Sequence, residues 1–480
     1  MSTVSKKRIW GWMAFDWASQ PFYTLGLTFI FGPYFAAVAA EYYFSQGSSL
    51  SMEETRAVLR NLNSKIIDGI EEIADAQAQT LWSGGQAVAG LLIAFTAPFL
   101  GAFADNSGRK MPWIAFFSVI YVIATAMLWG LTPDGANIMW MLVIFYVGFI
   151  AAESALNFTN AILPSIGNKD EIGRISGSGA AFGYWGGVTA LFIMLLFFVE
   201  QENGKTIFFN FDPLFGLNAD MKEGTRAVGP FIAIWFAVFM IPFFLWVRDD
   251  PKLGGKSTNI GAVAGELWET LKSVKDRKSL LNFLIGSMFY RDALNALYAF
   301  GGVYAALVLD WQTTEIGVFG IIAAIAAAIT TWLAGLADQR MGPKPVIRMS
   351  VWALIVVSII IVGMSREQLF WMPLAEGSSI PDIIFFICGA VIGGAGGAVY
   401  ASSRSMMVRH THPERPAEAF GLFALSGKAT AFLAPAFITL FTYLTSNNQL
   451  GFLPVIFLFL AGLFLLRWVN PEGDRDEWDT

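Results

Sequence analysis

Twelve stretches of this chain are long and apolar enough to cross a lipid bilayer as helices. A hydrocarbon core of ~30 Å needs roughly 20 helical residues. The stretches fall near 9–41, 81–103, 112–131, 137–162, 177–199, 229–247, 280–309, 314–337, 345–364, 381–403, 417–444 and 449–468. A lone strand would leave its backbone groups unpaired in lipid, so helix is expected throughout. Of 480 residues, 55% are hydrophobic and 14% charged, whereas soluble domains carry roughly 25% charged residues. The expected product is an all-α, multi-pass membrane protein in a lipid bilayer.

Lys and Arg set its orientation. With the N-terminus in the cytoplasm, the outer loops hold Arg56, Arg60, Lys65, Lys205, Lys222, Arg226 and Arg366, six of them in the two longest loops, where charge bias says least. Arg291 and Lys428 lie inside spans, and the rest are on the inner side. Both termini are therefore expected in the cytoplasm. The apolar stretch after Lys6-Lys7-Arg8 runs past Tyr34, too long for a cleaved signal.

Several chemistries find no support. Cys388 is the one cysteine, which excludes a disulfide framework and a cysteine metal site. His410 and His412 read as residues of one short loop. There is no Walker sequence, zinc signature or Ser-His-Asp set, so no enzyme, cofactor, metal or nucleic-acid partner is expected.

The long outer loop 42–80 contains Ser51 and Glu54 as a capping box, followed by Val58, Leu59, Leu62, Ile66, Ile70 and Ile73 at helical spacing. An amphipathic helix over about 51–78 is expected there. Outer loop 200–228 reads as irregular. The acidic tail PEGDRDEWDT reads as solvated. The domain plan is a six-helix bundle over 1–247, a cytoplasmic linker over 248–279 with a short amphipathic piece, and a second six-helix bundle over 280–480.

The two halves repeat. GAFADNSGRK (101–110) follows the second span, and GLADQRMGPK (335–344) follows the eighth. They align without a gap. Likewise Gly173, Ser178 and Gly179 before and within the fifth span match Gly421, Ser426 and Gly427 of the eleventh. Two related six-helix halves describe a transporter that rocks around a central site.

The decamer GAFADNSGRK resembles the loop signature of the major facilitator superfamily. Its physical role would be a conformational latch formed by Gly101, Asp105, Gly108, Arg109 and Lys110. The second copy would supply Gly335, Asp338, Arg340, Gly342 and Lys344. It departs from the pattern, with Gln339 at the acid position and Asp338 one place earlier. A narrower resemblance covers nearly the whole membrane region. FDWASQPFYTLGLTFIFGPYF, ESALNFTNAILP, IGRISGSGAAFGYWGG, YRDALNALYAFGGVYA and AEAFGLFALSGKATAFLAP look like the bacterial relatives of the fungal vacuolar amino-acid effluxers. The resemblance implies the major facilitator fold, with two pseudo-symmetric six-helix bundles, in a bacterial inner membrane. It also suggests neutral amino-acid efflux.

Charges inside the spans point to a site. Counted at 1.5 Å per residue, Arg291 and Lys428 lie about 16 Å deep, with Asp16 at about 10 Å. Glu153 and Asp292 lie at similar depth. Each would cost on the order of 3 kcal/mol facing lipid. Three polar stripes follow helical spacing: Asp16, Gln20 and Tyr23; Glu153, Asn157 and Asn160; Arg291, Asn295 and Tyr298. Asp292 lies about 100° round from Arg291. The resemblance implies that the first, fourth, seventh and tenth spans line a central cavity. Ser402 and Arg404 would then close its inner mouth. The blander reading is a set of buried ion pairs locking helices together.

Three acids against two cations leave a carboxylate free to hold a proton. Asp16 and Glu153 are the candidates for proton coupling. Arg291, Asp292, Asn295, Tyr298, Lys428, Asn157, Gln20 and Tyr23 are the candidates for substrate binding. The expected function is alternating-access transport of a small polar solute, a neutral amino acid with efflux favoured, by a monomer coupled to protons. The alternatives are a sugar or peptide transporter, and a transport-derived sensor without turnover.

Overall fold

A computed structural model describes residues 5–47, 64–201, 203–206, 210–249, 259–311, 313–375, 377–447 and 449–474. Among the described residues, ten helices are long and apolar enough to cross a membrane. The 32-residue helix Lys278–Leu309 and the shorter apolar helix Leu450–Leu466 make the architecture consistent with twelve crossings. We keep the ordinal numbering of the spans. The first and last described residues, Ser5 and Asp474, lie on one face, here termed the terminal face; the opposite one is the far face.

Local chemistry explains where the spans start. Asn168 and Glu171 form a reciprocal cap on the fifth, satisfying N–H groups that lack helical partners. Asp249 accepts the N–H groups of Lys110 (2.8 Å) and Met111 (3.1 Å) and caps the third. Between the second and third spans Gly108 has φ +71°, and between the eighth and ninth Gly342 has φ +81°. Both repeat motifs thus use their glycine for a left-handed turn that side chains disfavour.

The structure departs from the sequence reading at four places. Ser64–Ser107 is one 44-residue helix, so Ile66, Ile70 and Ile73 extend the second span beyond the far face. Ser51 and Glu54 lie outside the described residues. The first span widens to π-type turns over Phe22–Phe29, directly after Pro21. The eleventh span is broken: Pro416–Lys428 and Leu433–Thr445 are separate helices. His410 is not in a loop but ends the tenth span, buried, with Ser279 Oγ 2.7 Å from its Nε2. The described residues of the outer loop 200–228 are mostly irregular, as read; within them Glu200 pairs with Thr206 and accepts Thr225 N–H and Oγ–H at 3.0 and 2.8 Å.

The tail is also docked rather than solvated as far as Asp474. Asp474 is buried and paired with Arg277 at 2.9 Å. Arg409 donates to the Pro471 carbonyl (3.0 Å), and Ser279 Oγ accepts the Asn470 N–H (2.7 Å). Glu472 reaches across to Lys169 on the first half. That hydrogen bond holds the Glu472 carboxyl below the usual carboxylate range. Asp474→Ala removes the carboxylate that accepts from Arg277 at 2.9 Å and is expected to cost about 2 kcal/mol. Thermal unfolding in detergent should show a clearly lower midpoint; an unchanged one would contradict docking of the tail.

The bundles meet mainly through two pairs of spans, the second with the eleventh and the fifth with the eighth. Gly101 packs on the backbone of Ala417 and Glu418, and Gly421 on Ala97 and Pro98. Gly177 packs on Gly335, and Gly173 on the Asp338 side chain. Past its break, the eleventh span packs on the seventh, the twelfth and the turn at Leu450–Phe452 instead. The bundles are therefore closed at the terminal face, and the second and eleventh spans part beyond it.

Candidate functional site

Arg404 on the tenth span is 1% exposed, and groups from the opposite bundle surround its guanidinium. Asp16 Oδ2 of the first span lies 3.2 Å from both Nη1 and Nη2. Asn160 Oδ1 of the fourth accepts from Nη1 at 3.2 Å. Ser176 of the fifth accepts twice, through Oγ (2.9 Å from Nε) and its carbonyl (2.7 Å from Nη2). The plane lies over Trp12, 4.7 Å to the ring centroid, and Trp12 Nε1 donates to the Thr159 carbonyl at 2.8 Å. A planar fork with five donors suits this cage; a lysine would fill little of it. This layer ties the two bundles together near the terminal face.

Deeper lies a second, less tightly buried layer. Glu153 Oε1 of the fourth span accepts the Tyr23 hydroxyl at 3.2 Å. Glu153 Oε2 is 3.5 Å from Lys428 Nζ of the eleventh span, and the side chains are 16% and 23% exposed. Lys428 also lies over the Phe149 ring, at 5.0 Å. Arg291 of the seventh span donates to the Phe423 carbonyl at 2.9 Å and covers that ring at 4.2 Å. Its guanidinium fills the space beside Gly427, the residue before Lys428. Local irregularities place these groups. Tyr23 stands in the widened turns after Pro21, and Lys428 ends the first half of the broken eleventh span.

Of the candidate site residues, the structure brings Tyr23, Glu153 and Lys428 into contact, with Arg291 beside them. Asp16 stands apart in the Arg404 layer. Asp292 turns to the eleventh span's backbone and accepts the Ala434 N–H at 3.1 Å. Gln20 is half-buried against Gly187, and Asn157 is buried. Asn295 and Tyr298 are exposed toward the far half, the Tyr298 hydroxyl meeting Gly396 of the tenth span. The sequence reading had no role for Trp12, Ser176, Phe149 or Phe423. Trp12 did carry a signal, standing four residues before Asp16 on the same helical face.

The repeat-motif residues sit at the closed end. Asp105 Oδ2 accepts the Glu418 N–H at 2.8 Å, near the start of the eleventh span, where free N–H groups favour an anion. Lys110 Nζ lies 3.8 Å from Asp105. Asp338 Oδ1 accepts the Ser405 hydroxyl at 3.3 Å. Lys344 donates to the Val469 carbonyl at 2.7 Å. Arg109 and Arg340 are exposed. Gly177→Leu would push a side chain into the Gly335 backbone, an overpacking cost of about 1–3 kcal/mol against the closed arrangement. A cysteine replacing the buried Ser402, in a Cys388→Ala background, should then react faster with a membrane-impermeant maleimide. An unchanged rate would mean that this contact does not hold the face shut.

The chain has relatives. The family model described as "Vacuole effluxer Atg22 like" matches residues 4–478. The uncharacterized MFS-type transporter YxiO of Bacillus subtilis (strain 168) is 21% identical over 97% of this chain and 95% of its own length. Autophagy-related protein 22 of Cryptococcus neoformans var. neoformans serotype D (strain JEC21) is 22% identical over 63% of this chain. That match spans 51% of the fungal protein, so the chain covers about half of that relative's length. Among solved structures, the human organic anion transporter MFSD10 (TETRAN) superposes with a TM-score of 0.65 over 96% of this chain and 99% of its own, at 14% identity. The proton:xylose symporter XylE gives 0.62 over 98% and 99%, at 11% identity. The transporter FucP in its outward conformation gives 0.63 over 96% and 97%, at 12% identity. At these identities the structural likeness establishes the fold.

Proposed function

Because this chain belongs to the Atg22-like vacuole effluxer family and has the major facilitator transporter fold, we propose that it exports a small zwitterion, a neutral amino acid, in exchange for protons. One observation carries the reading: the half-buried Glu153–Lys428 pair bridges the two bundles with Arg291 beside it. A zwitterion can trade with such a pair. Its carboxylate takes Lys428 and Arg291 through charge-assisted hydrogen bonds, and its ammonium takes Glu153. Each charge given up is replaced, so no buried ion is stranded.

The bundles then rock about this layer. In the present arrangement the Arg404 cage is formed and the terminal face, which we assign to the cytoplasm, is shut. Opening that face must pull Asp16, Asn160 and Ser176 off Arg404, and Asp105 off Glu418. Tyr23, Asn295 and Tyr298 line the route from the far face. Arg404 and its cage act as the gate.

The experiment is a thermal-shift screen of purified protein against amino acids, peptides and sugars. A ligand that binds the native form raises its unfolding midpoint. Neutral amino acids should do so, with no shift in a Lys428→Met variant. Stabilisation by sugars alone would overturn the choice of cargo.

A further inference from the structure

Asp292 has no part in the two charged layers, yet it is 3% exposed within the seventh span. Its Oδ2 accepts the Ala434 N–H at 3.1 Å, and its Oδ1 is buried without a partner. Ala434 lies in the first turn of the second half of the broken eleventh span, Leu433–Thr445. The first N–H groups of a helix lack partners within it, and Asp292 supplies one. In the turn that separates the two halves, the Thr430 hydroxyl is likewise buried without a partner.

Charged groups on the elements packed around the seventh span are engaged elsewhere. Arg291 is on the Phe423 carbonyl, Lys428 on Glu153, Arg404 on Asp16, Asp382 on Arg366, Glu418 beside Arg415, and Asp338 on Ser405. Glu315 and Arg340 lie at opposite ends of the eighth span. A bare carboxylate oxygen in such a place is unfavourable unless it gains a partner.

We propose that Asp292 is the seat of the transported proton. The proposal deepens the reading of the chain as a proton-coupled transporter and rests on it. Among the described residues no group of three or more His, Cys, Asp or Glu gathers as a metal site would require; a proton needs only the one free oxygen. The proton adds to Oδ1 and one O–H bond forms. The carboxylate becomes neutral, and the same proton leaves on the other side with nothing else consumed. A neutral carboxyl is a poorer acceptor for the Ala434 N–H and puts no negative charge at a positive helix end. Protonation therefore loosens Leu433–Thr445 from the seventh span, on the side where the bundles part.

Asp292→Asn separates this role from capping, because the amide keeps an acceptor oxygen for Ala434 but takes no proton. Infrared titration of the purified protein in lipid should show a carboxylic-acid band, shifted to higher frequency than that of the water-exposed carboxyls, that disappears as pH rises. The band should be absent from Asp292→Asn, and present in Asp292→Glu, Asp16→Asn and Glu153→Gln. In proteoliposomes, accumulation of a labelled neutral amino acid under an imposed pH gradient should fall about tenfold in Asp292→Asn and recover in part in Asp292→Glu. Persistence of the band in Asp292→Asn, or wild-type accumulation by it, would overturn the proposal. If the wild type moves no amino acid, the reading of the cargo fails, and the band still decides the proton's seat.

Discussion

Arg404→Ala is expected to open the terminal face and abolish net transport while leaving the protein folded. The substitution removes a cation that is 1% exposed and strands the Asp16 carboxylate among Trp12, Asn160 and Ser176. Breaking one side of a buried ion pair costs about 3–5 kcal/mol. Asp16 recovers water once the bundles part, so the cost falls chiefly on the closed arrangement. A penalty of about 3 kcal/mol moves a two-state equilibrium on the order of a hundredfold. Spin labels replacing the exposed Asp170 and Arg340, on opposite bundles, should report a longer separation by pulsed EPR in Arg404→Ala than in the parent. The double variant Asp16→Asn with Arg404→Gln carries no stranded charge and should regain much of the closed population. Equal separations in all three proteins would remove Arg404 from the gate.

Lys428→Met should also keep its fold and lose transport, but with the terminal face still closed. Its pair with Glu153 is partly exposed, so its net contribution to stability is expected below about 1 kcal/mol. The cargo carboxylate would then enter the layer with Arg291 as its one remaining cation. Loss of a hydrogen-bonded charge partner costs about 2–5 kcal/mol in binding. Exchange of labelled amino acid should fall by roughly a hundredfold, with the unfolding midpoint nearly unchanged. Glu153→Gln should lose exchange less steeply, since the amide still accepts from the cargo ammonium and from Tyr23. Parent-like exchange in Lys428→Met would mean that its ion pair merely ties the bundles together.

The membrane architecture was legible because each span must bury nearly all its length in lipid. The repeat was legible because Gly108 and Gly342 meet the same backbone demand, a left-handed turn after the second and eighth spans. The depth of the charges was readable only to within a helical turn. Counting at a fixed rise treats every helix as regular, and two are not. The first span widens after Pro21, which sets Tyr23 against Glu153. The eleventh span breaks after Lys428, which gives Asp292 a helix end to cap. What had read as one cluster of five ions is therefore two layers and a separate cap. Arg404 stood out near the inner mouth, but its partner Asp16 lies 388 residues away in sequence, and no local spacing announces such a pair. The docked tail was hidden for a similar reason: Asp474 is acidic and near the chain end, and its burial depends on Arg277, which local sequence does not reveal.

The most direct test is a structure by electron cryomicroscopy with the neutral amino acid that gives the largest thermal shift. The ligand should lie between the bundles with its carboxylate on Lys428 and Arg291, its ammonium on Glu153, and Lys428 Nζ drawn off Glu153. Ligand density away from this layer, or an undisturbed Glu153–Lys428 pair beside bound ligand, would contradict it.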